Sequence, residues 1–420
     1  MNPYPMKWRV LAGGFLSYMF DAVDIIILAI AMPAIMVSLE ISQAQAGLLV
    51  TATLLGIGLS SVVMGRYADS HGRRKALLLS LAGFGGLTVA VAFASDWREI
   101  LVLRFLAGLG LGGVWGIAAA YVNETWPPAQ RGRATAFVLS SFSVGASVAA
   151  VVAAYLLPGH GWRMLFFVCG SAVSVAWLYV FFRVPESEAW LRQQRLAGNA
   201  GQPAPSVRIA ELFAPGLARN TLLGTAASAC ALTAYWGATT WLPTFLVRER
   251  GLSVGSMAAF VAVLNAGMFV GYNVFGYLSD RIGKKRAIIL SLVGTGVTLP
   301  VYVLASDRTT LLLLGPVFAF FMAFAGLIGA YFAELFPTRI RATGAGFCFN
   351  VGRGISAFSP LALGWIATMV GFATGIALCG LFFLLAALAV AFLPATGPHA
   401  ESGPLPDSDP DPRGQAASAS

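Results

Sequence analysis

Apolar residues recur along this chain in blocks of about 20, the length of helix that crosses a bilayer core, and short polar or Gly/Pro-containing stretches separate them. Read this way, the sequence predicts helices near residues 10–35, 46–66, 76–94, 101–122, 134–157, 163–183, 221–246, 257–279, 286–305, 310–332, 343–368 and 372–393. These are twelve spans of an all-α integral membrane protein. The short alternating segments of a transmembrane barrel do not occur. The pattern changes twice. Residues 185–219 are mostly polar and divide the spans six and six, which predicts an N-terminal bundle over 1–184, a linker over 185–219 and a C-terminal bundle over 220–394. From 395 to 420 the chain reads "ATGPHAESGPLPDSDPDPRGQAASAS", which cannot bury a core and predicts a disordered tail. The first apolar block is long and lacks a small-residue cleavage site, so it reads as a retained span and not a signal peptide.

Composition agrees: 58% of the 420 residues are hydrophobic and 11% charged, with mean hydropathy +0.77, against roughly 25% charged in soluble proteins. Of the 27 Lys and Arg, twenty fall on the side shared by both termini and five (Arg98, Arg163, Arg248, Arg250, Arg308) on the other. The positive-inside rule then puts both termini in the cytoplasm. The net charge of +9 is therefore a topology signal, and no nucleic-acid partner is implied. Cys169, Cys230, Cys348 and Cys379 lie in helices without metal-ligand spacing and read as free thiols.

Two pairs of stretches match at a distance. "GRYADSHGRRK" (65–75) and "GYLSDRIGKKR" (276–286) share G-x-x-x-D-x-x-G followed by three basic residues. "ETWPPAQRGRAT" (124–135) and "ELFPTRIRATG" (334–344) share Glu, Pro three later and Arg seven later. The offsets, 211 and 210, mark a duplicated six-helix half. With "RFLAGLGLGG" (104–113), these loops resemble the major facilitator superfamily, whose two six-helix halves alternate access to a central site. The resemblance covers the chain except the tail. It implies gates built from Gly65, Asp69, Gly72, Arg73, Glu124 and Arg131 in one half and Gly276, Asp280, Gly283, Glu334 and Arg341 in the other. The aspartates are expected near helix N-termini of the opposing half and the basic residues on carboxylates such as Glu124 and Glu334, contacts that break when the halves rock. The plainer reading of the basic residues is that they only fix topology.

Four charges fall inside predicted spans. Asp21 and Asp24, in "FDAVDIIILAIAMP" (20–33), are three apart and so share a helix face. Arg104 and Arg353 have no counterpart in the other half: the offset places them opposite Leu314 and Ser143. A charge at bilayer depth is costly and marks a functional site. A carboxylate can take up a proton, whereas arginine stays charged and must meet an anion, carbonyls or water. We therefore expect Asp21 and Asp24 to couple protons and Arg353 and Arg104 to hold an anionic substrate, with Arg104 shallow enough to snorkel. The structural alternative is permanent pairing of either aspartate with Arg353 or Arg104. Tyr235, Trp236 and Asn350 are expected to bind the substrate's carbon skeleton and polar groups, in a lining that also draws on Trp115, Tyr121, Trp241, Asn265 and Asn273. Aromatic residues at any one of these places also fit plain packing.

Within the superfamily, "YVNETWPPAQRGRATAFVLSSFSVGASVAA" (121–150), "GWRMLFF" (161–167) and "VPESEAWL" (184–191) resemble the sialic acid and monocarboxylate symporters. The D-x-x-D of the first helix also resembles the aromatic acid:proton symporters, with Ala22 in place of their usual glycine. Where many organic-acid symporters carry Glu in the fourth helix, this chain has Val114, which leaves the aspartates as proton carriers. The resemblance thus implies a monomer-competent importer that moves a small organic anion with H⁺ through the bilayer of a bacterial cytoplasmic (inner) membrane. No cofactor or metal is expected beyond the proton gradient, and one proton per monoanion would move no net charge. Sialic acid, a short monocarboxylate and an aromatic acid remain open as cargo. Drug efflux would resemble a G-P-x-x-G-G fifth helix, which is missing. An enzyme would need more than His71, His160 and His399 in loops and tail, a sensor would need a signalling domain, and no nucleotide loop occurs.

Overall fold

A computed structural model describes residues 4–127, 130–200, 209–337 and 340–395; most of the predicted tail lies outside them. The N-terminal half consists of α1 (Tyr4–Ser38), α2 (Gln43–His71), α3 (Arg73–Val91), α4 (Trp97–Leu111), α5 (Val114–Thr125) and α6 (Arg131–Arg183). After α7 (Glu188–Ala200) and a 3₁₀ turn over Ile209–Phe213 comes the C-terminal half: α8 (Ala218–Arg248), α9 (Val254–Ile282), α10 (Lys284–Leu304), α11 (Arg308–Phe321), α12 (Phe324–Glu334), α13 (Arg341–Ser356) and α14 (Ser359–Ala391).

Among the described residues nine helical segments are long and apolar enough to cross a membrane. Two of them, 47 and 49 residues long, hold two crossings each. They are broken by Gly161 (φ 74°) and Gly371 (φ 81°), in a left-handed conformation open mainly to glycine. The twelfth crossing is α8, 31 residues, whose Thr, Ser, Tyr and Trp content lowers its hydropathy. The predicted spans are all present. The fourth, predicted as one helix, breaks between α4 and α5 at Gly112–Gly113, and the tenth breaks at the repeat-related Met322–Ala323 between α11 and α12.

The duplicated loops have a physical reason for their glycines. Gly72 (φ 102°) and Gly283 (φ 87°) each end one helix and start the next in a single residue, which a β-carbon would strain. Two helix pairs of the repeat also pack through glycine. Gly108 of α4 lies against Gly56 and Thr53 of α2, while Gly267 and Gly271 of α9 lie against Pro316 and Phe320 of α11, so that any added β-carbon collides with backbone. Ser42 starts α2 with a capping box: its hydroxyl accepts from Gln45 N (3.2 Å) and its own N–H donates to the Gln45 side chain (2.8 Å).

The halves meet through α1 on α8, α2 on α13 and α14, and α6 on α9. On the face away from the chain ends this contact is closed. A β-carbon on Gly47 of α2 would come within 2.9 Å of Leu361 Cα, and one on Gly364 would meet Gln43 O at 2.7 Å; Trp241 Nε1 of α8 holds the α14 side of this contact by donating to Pro360 O at 2.8 Å. Toward the face carrying the chain ends the halves part, and a cavity lies between them.

Candidate functional site

That cavity has a volume of about 450 Å³ and runs from Tyr18 and Arg353, deep in the spans, to Asp69 and Arg73 at the ends of α2 and α3. Trp115, Tyr272, Phe349 and Asn350 also line it. Arg353, from α13, makes no ion pair among the described residues; its Nε is buried without a hydrogen-bond partner and its guanidinium lies 5.7 Å from the Phe349 ring centre. Asp21, buried on α1, accepts no hydrogen bond from a described residue and interacts electrostatically with Arg353 across the two halves. Tyr18, one turn before Asp21, shares that interaction, and its ring packs 5.6 Å from both Trp115 and Phe142. A cation without an ion pair and several aromatic faces thus line one space, with the Asp21 carboxyl in electrostatic reach of the cation, which suits an anion with an unsaturated carbon skeleton.

Asp24 has a different fate. Its carboxylate takes two hydrogen bonds from Arg104, Nη2 to Oδ2 at 2.8 Å and Nη1 to Oδ1 at 3.1 Å, and a third from the Thr88 hydroxyl. Arg104 Nε completes the set on Thr53 Oγ1 at 3.3 Å. Both side chains are sealed, at 0% and 1% exposure. Arg104 therefore does not snorkel, and neither group lines the cavity: α1, α2, α3 and α4 bring the pair together, and each buried ion is solvated by the other and by the two threonines. Breaking one side of such a pair costs about 3–5 kcal/mol, whereas replacing both with packed apolar groups is often neutral. We predict that Arg104→Leu lowers the yield of folded protein sharply, and that Asp24→Leu with Arg104→Leu restores both folding and transport. Thermal unfolding and uptake of the two variants check this; a double variant that folds but is inert makes the pair part of the transport site.

The aromatic expectations divide. Tyr235 lines a separate cavity of about 40 Å³ with Ile26, Ile30, Pro243 and Asn265. Trp236 is buried edge-on against Tyr235, 5.1 Å between centres, and lines neither space. Trp241 belongs to the closed face; Asn273 is exposed and donates to its own helix at Phe269 O (2.8 Å). Tyr121 donates to Pro185 O near the start of the linker. Tyr18 and Tyr272 escaped the sequence reading. Tyr18 had a signal, its spacing of three from Asp21; Tyr272 had none.

The duplicated loops form matched ion pairs, but each stays within its own half. Arg73 binds Asp69 at 2.6 Å and Glu124 at 2.9 Å, and Lys284 binds Glu334 at the repeat-related place. Arg131 Nε donates to Trp126 O at 3.0 Å, and Arg341 begins α13. The expected placement of Asp69 and Asp280 against the opposing half is not what this conformation shows: both are exposed, because the cavity separates the halves here. Gly65 and Gly276 have open space beside them. A residue not anticipated is Glu186, whose Oε1 accepts from Arg73 N (2.8 Å) and Arg74 N (3.1 Å), and so places an anion on the N-terminus of α3. Trp190 Nε1 adds a bond to Asp69 O at 2.7 Å, which ties the residues after α6 to the first duplicated loop.

Known proteins agree with this architecture. A putative metabolite transport protein of Haemophilus influenzae is 32% identical over 92% of this chain and 95% of its own length. A cis,cis-muconate transport protein of Acinetobacter baylyi is 28% identical over 90% and 92%, and a sialic acid transporter of Escherichia coli 25% identical over 87% and 89%. The crystal structure of a D-xylose-proton symporter superposes with TM-score 0.73 at 17% identity, covering 92% of this chain and 98% of that one. The sequence model of the Major Facilitator Superfamily matches residues 14–278 and 265–416. Twelve spans in two repeated halves around one central cavity are thus those of a multi-pass membrane protein, and the chain belongs to the Major Facilitator Superfamily.

Proposed function

We propose that this protein imports a small organic carboxylate together with a proton by alternating access, needing no cofactor and performing no chemistry on its cargo. The observation that carries this is Arg353: a half-buried guanidinium with no ion pair among the described residues, at the end of a cavity, needs a mobile anion. Asp21 across from it supplies the proton site, since it is the intramembrane carboxylate outside the Asp24–Arg104 pair. Muconate and sialic acid, named for two relatives, are both carboxylates, and the aromatic lining of Tyr18, Trp115, Tyr272 and Phe349 favours a planar, conjugated acid over a sugar acid. Asn350 supplies an amide to a second polar group of the ligand.

The arginine bias supports a cytoplasmic location of the face that carries the chain ends, so the cavity described above is open inward. The loops that contain Asp69 and Asp280 then close it when the halves rock the other way, with Tyr235 and Trp236 drawn toward the cargo. The test is uptake of radiolabelled benzoate, muconate and sialic acid into right-side-out vesicles at an imposed inward proton gradient. We expect benzoate or muconate to accumulate and a protonophore to abolish it; failure of all three acids to accumulate overturns the reading.

A further inference from the structure

A second large cavity, about 670 Å³, opens on the face where the halves are sealed together. It lies between the end of α1 (Val37), the glycine break of α6 (His160, Trp162, Arg163) and the α8–α9 junction (Val247, Arg248), so both halves contribute to it. None of its lining residues is acidic. The nearest carboxylate in sequence, Glu249, is turned away onto the N-terminus of the last crossing, where it accepts from Phe372 N and, at 3.0 Å, from Ala373 N. Arg248 makes no hydrogen bond or ion pair among the described residues. Arg163 spends one N–H on Ala94 O (3.1 Å) and stacks on Trp162 at 4.3 Å, which leaves the rest of its fork free. Trp162 itself is 3% exposed and its indole N–H has no partner. Arg163 and Arg248 are the two arginines among its lining residues.

The position of this cavity gives it a use. Three spaces follow one another along α1: the central cavity at Tyr18, the 40 Å³ pocket at Ile26–Ile30, and this vestibule at Pro33–Ser38. At 1.5 Å per residue the file from Tyr18 to Ala34 is about 24 Å long. The small pocket and the vestibule both lie between α1 and α6 on one side and α8 and α9 on the other, so a rocking motion that parts these helices joins the three. We propose that the vestibule is a separate docking site for an organic carboxylate on the sealed face, held by Arg248 and by the Arg163 guanidinium that Trp162 supports from below, from which the anion passes to Arg353 when the halves part. The inference shares the carboxylate cargo with the proposed function and is independent of its proton step.

Arginine footprinting tests it directly. The full chain in lipid nanodiscs is treated with phenylglyoxal in the presence of benzoate or of its neutral counterpart benzamide, and modification of Arg248 and Arg163 is read by peptide mass spectrometry. Benzoate is expected to slow modification of Arg248 about tenfold when its concentration is about nine times the dissociation constant; benzamide should not. The protection should persist in Asp21→Asn and Arg353→Gln, so it is read even where transport is lost. Equal modification with benzoate and benzamide overturns the site. In transporting vesicles Arg248→Gln, which removes no contact of the fold, should raise KM for entry about tenfold at low salt and converge on wild type near 1 M salt, where the Debye length is about 3 Å. An unchanged KM at low salt also overturns it.

Discussion

Replacing Arg353 with glutamine is expected to lower kcat/KM for carboxylate entry by about a thousandfold while leaving the protein folded or more stable. The two halves of that expectation come from one fact. Arg353 is half-buried at the end of the central cavity, without an ion pair and with its buried Nε unpartnered. Its desolvation is therefore offset in the empty protein only by the longer-range attraction of Asp21 and Tyr18, and a shorter, neutral amide removes that cost. Once substrate arrives, the guanidinium forms a charge-assisted pair in a site of low dielectric, and loss of such a pair costs about 2–5 kcal/mol. Lysine should rescue poorly, because a point charge cannot offer the planar fork that matches a carboxylate. Binding of benzoate measured by calorimetry, with thermal midpoints on the same samples, checks both halves. If the glutamine variant unfolds readily and the surviving fraction binds normally, Arg353 is a structural residue.

The contrast with Arg104 shows what could be read from the sequence. Both arginines stood out as charges in apolar spans without a repeat counterpart, and nothing local distinguished them. Depth along the helix suggested that Arg104 would snorkel, but depth does not say what neighbouring helices bring. Here Thr53 of α2, Thr88 of α3 and Asp24 of α1 close around it, three contacts 16 to 80 residues away that no spacing rule connects. The repeat, by contrast, was fully legible. Its glycines are dictated by backbone angle, and its acid–base pairs by sequence offset, so Arg73–Glu124 and Lys284–Glu334 fall where the alignment of halves puts them. That these pairs close within each half, and that Asp69 and Asp280 stay exposed, was not legible, since contacts between the halves depend on whether the face is open. The aromatic lining was hardest. With 12% of the chain aromatic, composition does not separate Tyr18 and Tyr272, which line the cavity, from Trp236 and Trp241, which pack away from it.

Asp21→Asn should abolish accumulation driven by a proton gradient while sparing exchange of labelled for unlabelled carboxylate. The geometry of α1 separates this residue from its neighbour. Steps of three residues fall about 60° short of a full turn, so Tyr18, Asp21 and Asp24 fan across the helix surface and do not share one line. Asp21 is left toward Arg353 at the junction of the halves, and Asp24 is carried round into the grip of Arg104 and Thr88. An asparagine at 21 is permanently neutral and so imitates the protonated form. The carrier can then reorient with substrate but has no proton to release, and the gradient no longer biases its direction. In wild type a one-unit pH gradient with one proton per monoanion supports about tenfold accumulation, worth about 1.4 kcal/mol, and the membrane potential adds nothing because no net charge moves. The variant should level at a ratio near one under the same gradient, with counterflow intact. Two results would count against this assignment: accumulation in the variant equal to wild type, which leaves Asp21 a packing residue, or wild-type accumulation driven by potential alone at zero pH gradient, which requires a second proton and returns Asp24 to the transport cycle.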